Sequence, residues 1–120
     1  MSVNFIVIGR VIFGLFFLIA GLRNFARFGE RKTVPTNYGF TLPSPILALG
    51  FATQALGGLS LIFGLWTAIG AGALIAFLAL ATPLYHNLFM FAGKDRDPHL
   101  YFALVNLTLS GGLLLVIATA

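Results

Sequence analysis

The chain alternates long apolar stretches with short segments rich in charge, glycine and proline. The first apolar stretch runs from about Asn4 to Leu22, and its helix is free to continue to Phe28. The second follows Leu42-Pro43-Ser44-Pro45, where Ser44 suits an N-cap and Pro45 the first helical turn, and covers about residues 45–64. The third covers about 67–91, with Pro83 inside it predicting a kink. The fourth opens at Asp97-Pro98, a second cap-and-proline start, and covers about 98–119. Each approaches the ~20 apolar residues that cross ~30 Å of hydrocarbon. None alternates with period two, so they read as helices and not as barrel strands. The pattern predicts an all-α membrane protein, a single domain over 1–120, built as an up-down bundle of four transmembrane helices.

Composition agrees. Of 120 residues, 59% are hydrophobic and 8% charged, where soluble domains carry roughly 25% charge. A soluble enzyme, a secreted disulfide scaffold and a disordered tail are excluded. With no cysteine, the chain supplies no thiol–disulfide exchange, thiolate metal site or iron–sulfur ligation. The first stretch is not read as a signal peptide, because Arg10 lies within the apolar run and no small-x-small cleavage site follows.

The net charge of +4 matters less than where the charges sit. Arg23, Arg27, Arg31 and Lys32 lie in or beside the loop after the first stretch, and Lys94 and Arg96 in the loop after the third. The termini and the Leu65-Trp66-Thr67 turn carry no basic residue. This asymmetry predicts a multi-pass membrane protein with loops 23–44 and 92–97 in the cytoplasm and both termini outside. Membrane lipid, not nucleic acid, is the expected partner of the basic loops, at ~1 kcal/mol per residue near anionic headgroups. The longest loop, with Pro35, Tyr38-Gly39-Phe40 and Pro43, is too polar to span and too aromatic for plain linker. It predicts a segment lying at the interface.

Polar and small residues fall on single helical faces. Arg10, Gly14, Gly21 and Asn24 form one stripe, and Gly50, Gln54, Gly57 and Gly64 another. Thr82 stands one turn before His86, and His99, Ala103, Asn106 and Ser110 share a side. Such faces are expected to turn inward, small residues for close approach and polar ones for partners. Helical rise puts Gln54 and Asn106 each ~12 Å from its cytoplasmic helix end, with His86 about one and a half turns from the same side. The expectation is a polar pocket opening to the cytoplasm, lined by Gln54, His86 and Asn106. The candidate ligand-binding residues are Arg10, Gln54, Thr82, His86, Asn106 and Ser110. The alternative reading makes the same residues hydrogen-bond links between helices, with Arg10 snorkelling to the outer headgroups. No catalytic set is expected, since Glu30, Asp95 and Asp97 all lie in loops. No metal site is expected either: His86 and His99 lack a placed carboxylate, and His99 reads as a headgroup-level residue.

The order and spacing of four segments carry a resemblance. They are Gly9-Arg10-Val11-Ile12-Phe13-Gly14 with its continuation to Phe25, Gly57-Gly58-Leu59-Ser60-Leu61-Ile62-Phe63-Gly64, Ala81-Thr82-Pro83-Leu84-Tyr85-His86-Asn87, and Val105-Asn106-Leu107-Thr108-Leu109-Ser110-Gly111-Gly112. Over nearly its whole length the chain resembles the DoxX/DoxD family of small four-helix bacterial membrane proteins. It departs from the family at three places. Arg23 stands where Lys is frequent, Gln54 where an acid is frequent, and Val105 where Lys is frequent. The last two remove interior charge, and Gln does not titrate, which argues against a proton relay. The resemblance implies an accessory subunit working with redox-complex partners or a homo-oligomer, with quinone as the cofactor to consider. An assembly protein without a small-molecule site, and less so a small transporter, stay open beside it.

Overall fold

Proline and glycine set most of the helix ends in the computed structural model, which describes residues 2–86 and 93–120. The elements are α1 (Ser2–Ala26), a single turn α2 (Phe28–Arg31), α3 (Ser44–Phe63), α4 (Thr67–Tyr85), a 3-10 turn over Gly93–Asp95 and α5 (Arg96–Ala118). No strand occurs among the described residues. The segments Asn4–Ala26, Ser44–Phe63, Thr67–Tyr85 and Gly93–Ala118 are each long and apolar enough to cross a membrane. The chain is a multi-pass, four-helix membrane protein.

Several boundaries differ from those expected. Pro43, not Ser44, occupies the N-cap of α3, and no side chain caps that end. Ser44 and Pro45 are the first helical residues, where the missing proline N–H has no intrahelical partner to lose. Likewise α5 starts at Arg96 behind Asp95, so Asp97 and Pro98 lie inside its first turn instead of opening it. Pro83 does not merely kink α4. The helix stops two residues later, and His86 leaves it at φ −136°, ψ 43°. The freed end is capped from elsewhere in the chain: the Asn37 N–H donates to the Leu84 carbonyl at 2.6 Å. The expected run from 87 to 91 lies outside the described residues.

The long loop is ordered around that contact. Thr36 N–H bonds the Phe40 carbonyl at 2.7 Å, Gly39 N–H bonds the Thr36 carbonyl at 3.0 Å, and Gly39 takes φ 89°, a left-handed conformation suited to glycine. Thr36 is buried while Tyr38 and Phe40 are exposed, so the turn is pinned at Thr36 and presents its aromatic rings outward. At the other end, Gly64 terminates α3 at φ 69° and Trp66 follows at φ 48°. Trp66 is 80% exposed, so its amphipathic ring projects from the turn.

Contacts between glycines and neighbouring helices fix the topology. A Cβ on Gly14 would stand 2.6 Å from the Gly58 carbonyl oxygen, and one on Gly21 would stand 2.7 Å from the Ala55 nitrogen. The pairing runs in reverse order along the two helices, so α1 and α3 are antiparallel at backbone-to-backbone distance. Gly57 receives the Leu74 side chain and Gly50 the Phe77 ring, which pairs α3 with α4 in the same sense. Helices α4 and α5 pack next, and α1 meets α5 only lightly, where the Phe13 ring lies over Gly112. The result is flattened, with extents of 47 × 30 × 18 Å. Its centre is apolar: Phe17, Leu61, Ala71, Leu74, Leu78, Leu113 and Val116 form one buried cluster.

Because the α1–α3 seam has no room for a side chain, Gly58→Leu is expected to destabilise the fold by about 1–3 kcal/mol through overpacking. Gly9 is the control, since a methyl group added there would meet nothing within 4 Å. Gly9→Ala should stay within about 0.5 kcal/mol of the parent. Loss of helicity on heating or in denaturing detergent measures both.

Candidate functional site

The polar side chains of the spans sort into three groups by the helices they join. The first is at the turn end. Arg10 of α1 donates from Nε to the Leu61 carbonyl at 2.9 Å, and its guanidinium lies over Gly64, within 3.1–3.2 Å of where a Cβ would sit. A cation is thus placed at the negative end of the α3 dipole, on a carbonyl that the helix itself leaves without a partner. Arg10 is a cross-helix cap, and glycine at 64 serves both the left-handed turn and the space the guanidinium needs.

The second group lies in the α1–α3 seam toward the basic end. Arg31 donates from Nε to Asn24 Oδ1 at 3.1 Å, and Asn24 donates from Nδ2 to Gln54 Oε1 at 2.8 Å. Phe25 and Phe28 pack edge-on against Phe51, with centroids 5.8 and 6.0 Å away, and hold α2 beside this chain of bonds. Gln54 is only 7% exposed. Its acceptor oxygen is used, but its Nε2 donates no hydrogen bond among the described residues. No sealed polar atom there lacks a partner, so this amide nitrogen still reaches the protein surface.

The third group lies in the α4–α5 seam at the same end. Thr82 donates to the Leu78 carbonyl at 2.7 Å and accepts from Asn106 Nδ2 at 3.0 Å. One turn nearer the end, His86 Nδ1 and His99 Nδ1 are 3.1 Å apart. Phe102 stacks on the His86 ring at 5.0 Å and 26°. Burial, and after it the neighbouring His99, lower the His86 pKa below its ordinary 6.5, so the ring just beyond the α4 span favours its neutral form. Ser110 turns its hydroxyl back to the Asn106 carbonyl at 2.9 Å on its own helix.

Thr82, His86 and Asn106 are therefore neighbours in one seam, while Gln54 belongs to another and Arg10 to the opposite end. No hydrogen bond among the described residues joins the Gln54 group to the Asn106 group, and the shared centre between helices is filled by aliphatic and aromatic side chains. Two shallow apolar grooves lie elsewhere. One, of about 310 Å³, is lined by Tyr101, Leu104, Val105, Thr108 and Leu109, and the other, of about 280 Å³, runs beside Thr53, Leu56, Ser60 and Trp66. Neither is lined by Gln54, His86 or Asn106. Among the described residues no group of three or more His, Cys, Asp and Glu gathers as metal ligands.

Two contacts are not given by helical spacing. His99, on the inward stripe of α5 and expected at headgroup level, meets His86 across a loop that periodicity does not bridge. Arg31, which the sequence presents only as loop charge, anchors the Asn24–Gln54 chain.

The DoxX family model matches residues 5–87, well over half of the chain. No curated protein and no solved structure matches it.

Arg10→Leu should leave the Leu61 carbonyl without its donor and lower stability by about 1–3 kcal/mol, and Arg10→Lys should recover part of that loss. Thermal unfolding of the two variants in one detergent checks the order.

Proposed function

For this chain, which belongs to the DoxX family, we propose the role of a small accessory subunit in a quinone-linked or redox membrane system, without catalysis of its own. The observation that carries this reading is the uncommitted amide donor of Gln54, nine-tenths buried within a span. Polar groups at that depth are costly unless paired, and a quinone carbonyl is an acceptor that such a donor can bind. Phe25, Phe28 and Phe51 beside the Gln54 chain provide aromatic edges and faces for a flat ring. Asn106 and His86 are secondary candidates in the α4–α5 seam. Thr82 and Ser110 orient Asn106, and Arg10 acts as a structural cap.

A second reading is favoured by the pairs that are complete. Asn24 with Gln54, and Thr82 with Asn106, join neighbouring helices as a packing or assembly protein would require. The two readings separate on one comparison. Gln54→Leu and Asn24→Leu both break the same bridge, so a purely structural role lowers stability in each and leaves quinone content alone. The ligand role predicts that co-extracted quinone, measured against protein after mild solubilisation, falls severalfold in Gln54→Leu and less in Asn24→Leu, which keeps the amide donor but loses the bond that orients it. Absence of quinone from the wild type would remove the proposal.

The charge asymmetry of the loops supports an inner-membrane subunit with both termini outside and loops 23–44 and 92–97 in the cytoplasm. A cysteine substituted at Lys94 should then resist impermeant thiol reagents in intact cells and react after permeabilisation. Ready labelling in intact cells would reverse the orientation.

A further inference from the structure

The two histidines do not enter the Gln54 reading, yet their rings are held close together between α4 and α5. Their two Nδ1 atoms stand 3.1 Å apart, so one nitrogen carries a proton that the other accepts, and an ion bound between them would take that proton's place. That spacing has a chemical meaning. Two imidazole nitrogens on a tetrahedral ion, with bonds of about 2.0–2.1 Å, stand about 3.3–3.4 Å apart. At the same bond length, neighbouring positions of a square-planar ion are about 2.9 Å apart. The observed separation falls between these edges, and with centroids 5.3 Å apart the rings meet nearly end to end, so an ion requires both rings to tilt toward it.

The scaffold holds the pair in place. Phe102 stacks on His86 and fixes its plane. One turn deeper, the Asn106–Thr82 bond of 3.0 Å sets the distance between the two helices. Pro83 and the cap from Asn37 end α4 at this level, which releases His86 from the helix to face α5. Asp95 precedes His99 by one turn along the chain and brings negative charge to the same helix start.

We propose that His86 and His99 form a two-histidine site for a borderline divalent transition-metal ion, of the zinc or copper class, at the basic end of the bundle. Water fills the remaining positions and leaves them open to an outside ligand. Imidazole nitrogen donors select these ions against magnesium and calcium, which require oxygen. The site does not depend on quinone, and its test is run on quinone-free protein.

The experiment titrates Zn²⁺, with Mg²⁺ as control, into detergent-solubilised protein carrying no polyhistidine tag. One Zn²⁺ per chain is expected, with affinity at least tenfold weaker in His86→Ala and in His99→Ala and no Mg²⁺ binding. Helicity is measured on each variant, and the wild type bound to Cu²⁺ is examined by electron paramagnetic resonance. A spectrum with two imidazole nitrogens supports the site even where a variant fails to fold. Substoichiometric Zn²⁺, affinity unchanged in both folded variants, or a Cu²⁺ spectrum without two nitrogens would overturn it, leaving a proton shared between the rings.

Discussion

A helix pair inside a bilayer gains nothing by hiding apolar surface, because the lipid is as apolar as the partner helix. What holds α1 against α3 is therefore proximity. Gly14, Gly21 and Gly58 let the two backbones touch where any Cβ would collide with main-chain atoms. Dispersion between closely packed atoms takes the place of the water-driven burial that holds a soluble domain. The rest of the structure follows from this seam. It seats Arg10 on the end of α3, aligns Asn24 with Gln54, and leaves α3 to pair with α4 across its other face.

The same constraint decides where polarity can sit. A polar side chain in a span needs a partner on its own helix or on the next one. Thr53 and Thr108 take the first course, each donating to the carbonyl four residues earlier. Asn24, Gln54, Thr82 and Asn106 take the second and become links between neighbours. Because α1 and α5 meet only lightly, at Phe13 and Gly112, no polar link among the described residues closes the flattened bundle on that side. The middle of the bundle is consequently apolar, and hydrogen bonding between helices is confined to the seams and the ends.

The four crossings were legible because twenty-residue apolar runs leave few other folds, and the inward faces were legible from helical spacing. Gly14 and Asn24 do face α3, as their stripe on α1 required. Pairing between helices was not legible. Spacing reports which face a residue occupies but not which neighbour that face meets, so Gln54 and Asn106 looked equivalent although they serve different seams. Local rules also misplaced the cap residues: Ser44 and Asp97 have the right chemistry for an N-cap, but the chain enters each helix one residue earlier or more. The pairing of His99 was illegible for another reason. Its partner is reached through the end of α4, and that end is set by Pro83 together with a backbone bond from Asn37, far upstream of Leu84 in the chain.

Polarity within a span is thus a poor guide to function until its hydrogen bonds are counted. Thr82 both donates and accepts, and Ser110 gives its hydroxyl to its own helix, so neither retains a donor for a ligand. Arg10 carries a charge deep in the first apolar run, the feature that would ordinarily mark an active group. Its bond to Leu61 explains it as a cap instead. What distinguishes Gln54 is capacity left over. The Asn24 bond fixes the orientation of the amide by using its oxygen, and the nitrogen donates to no partner among the described residues. A group held rigid by one bond and available at the other end is preorganised for an acceptor. This asymmetry, and not the number of polar residues in the spans, is the physical ground for seeking a ligand beside α3.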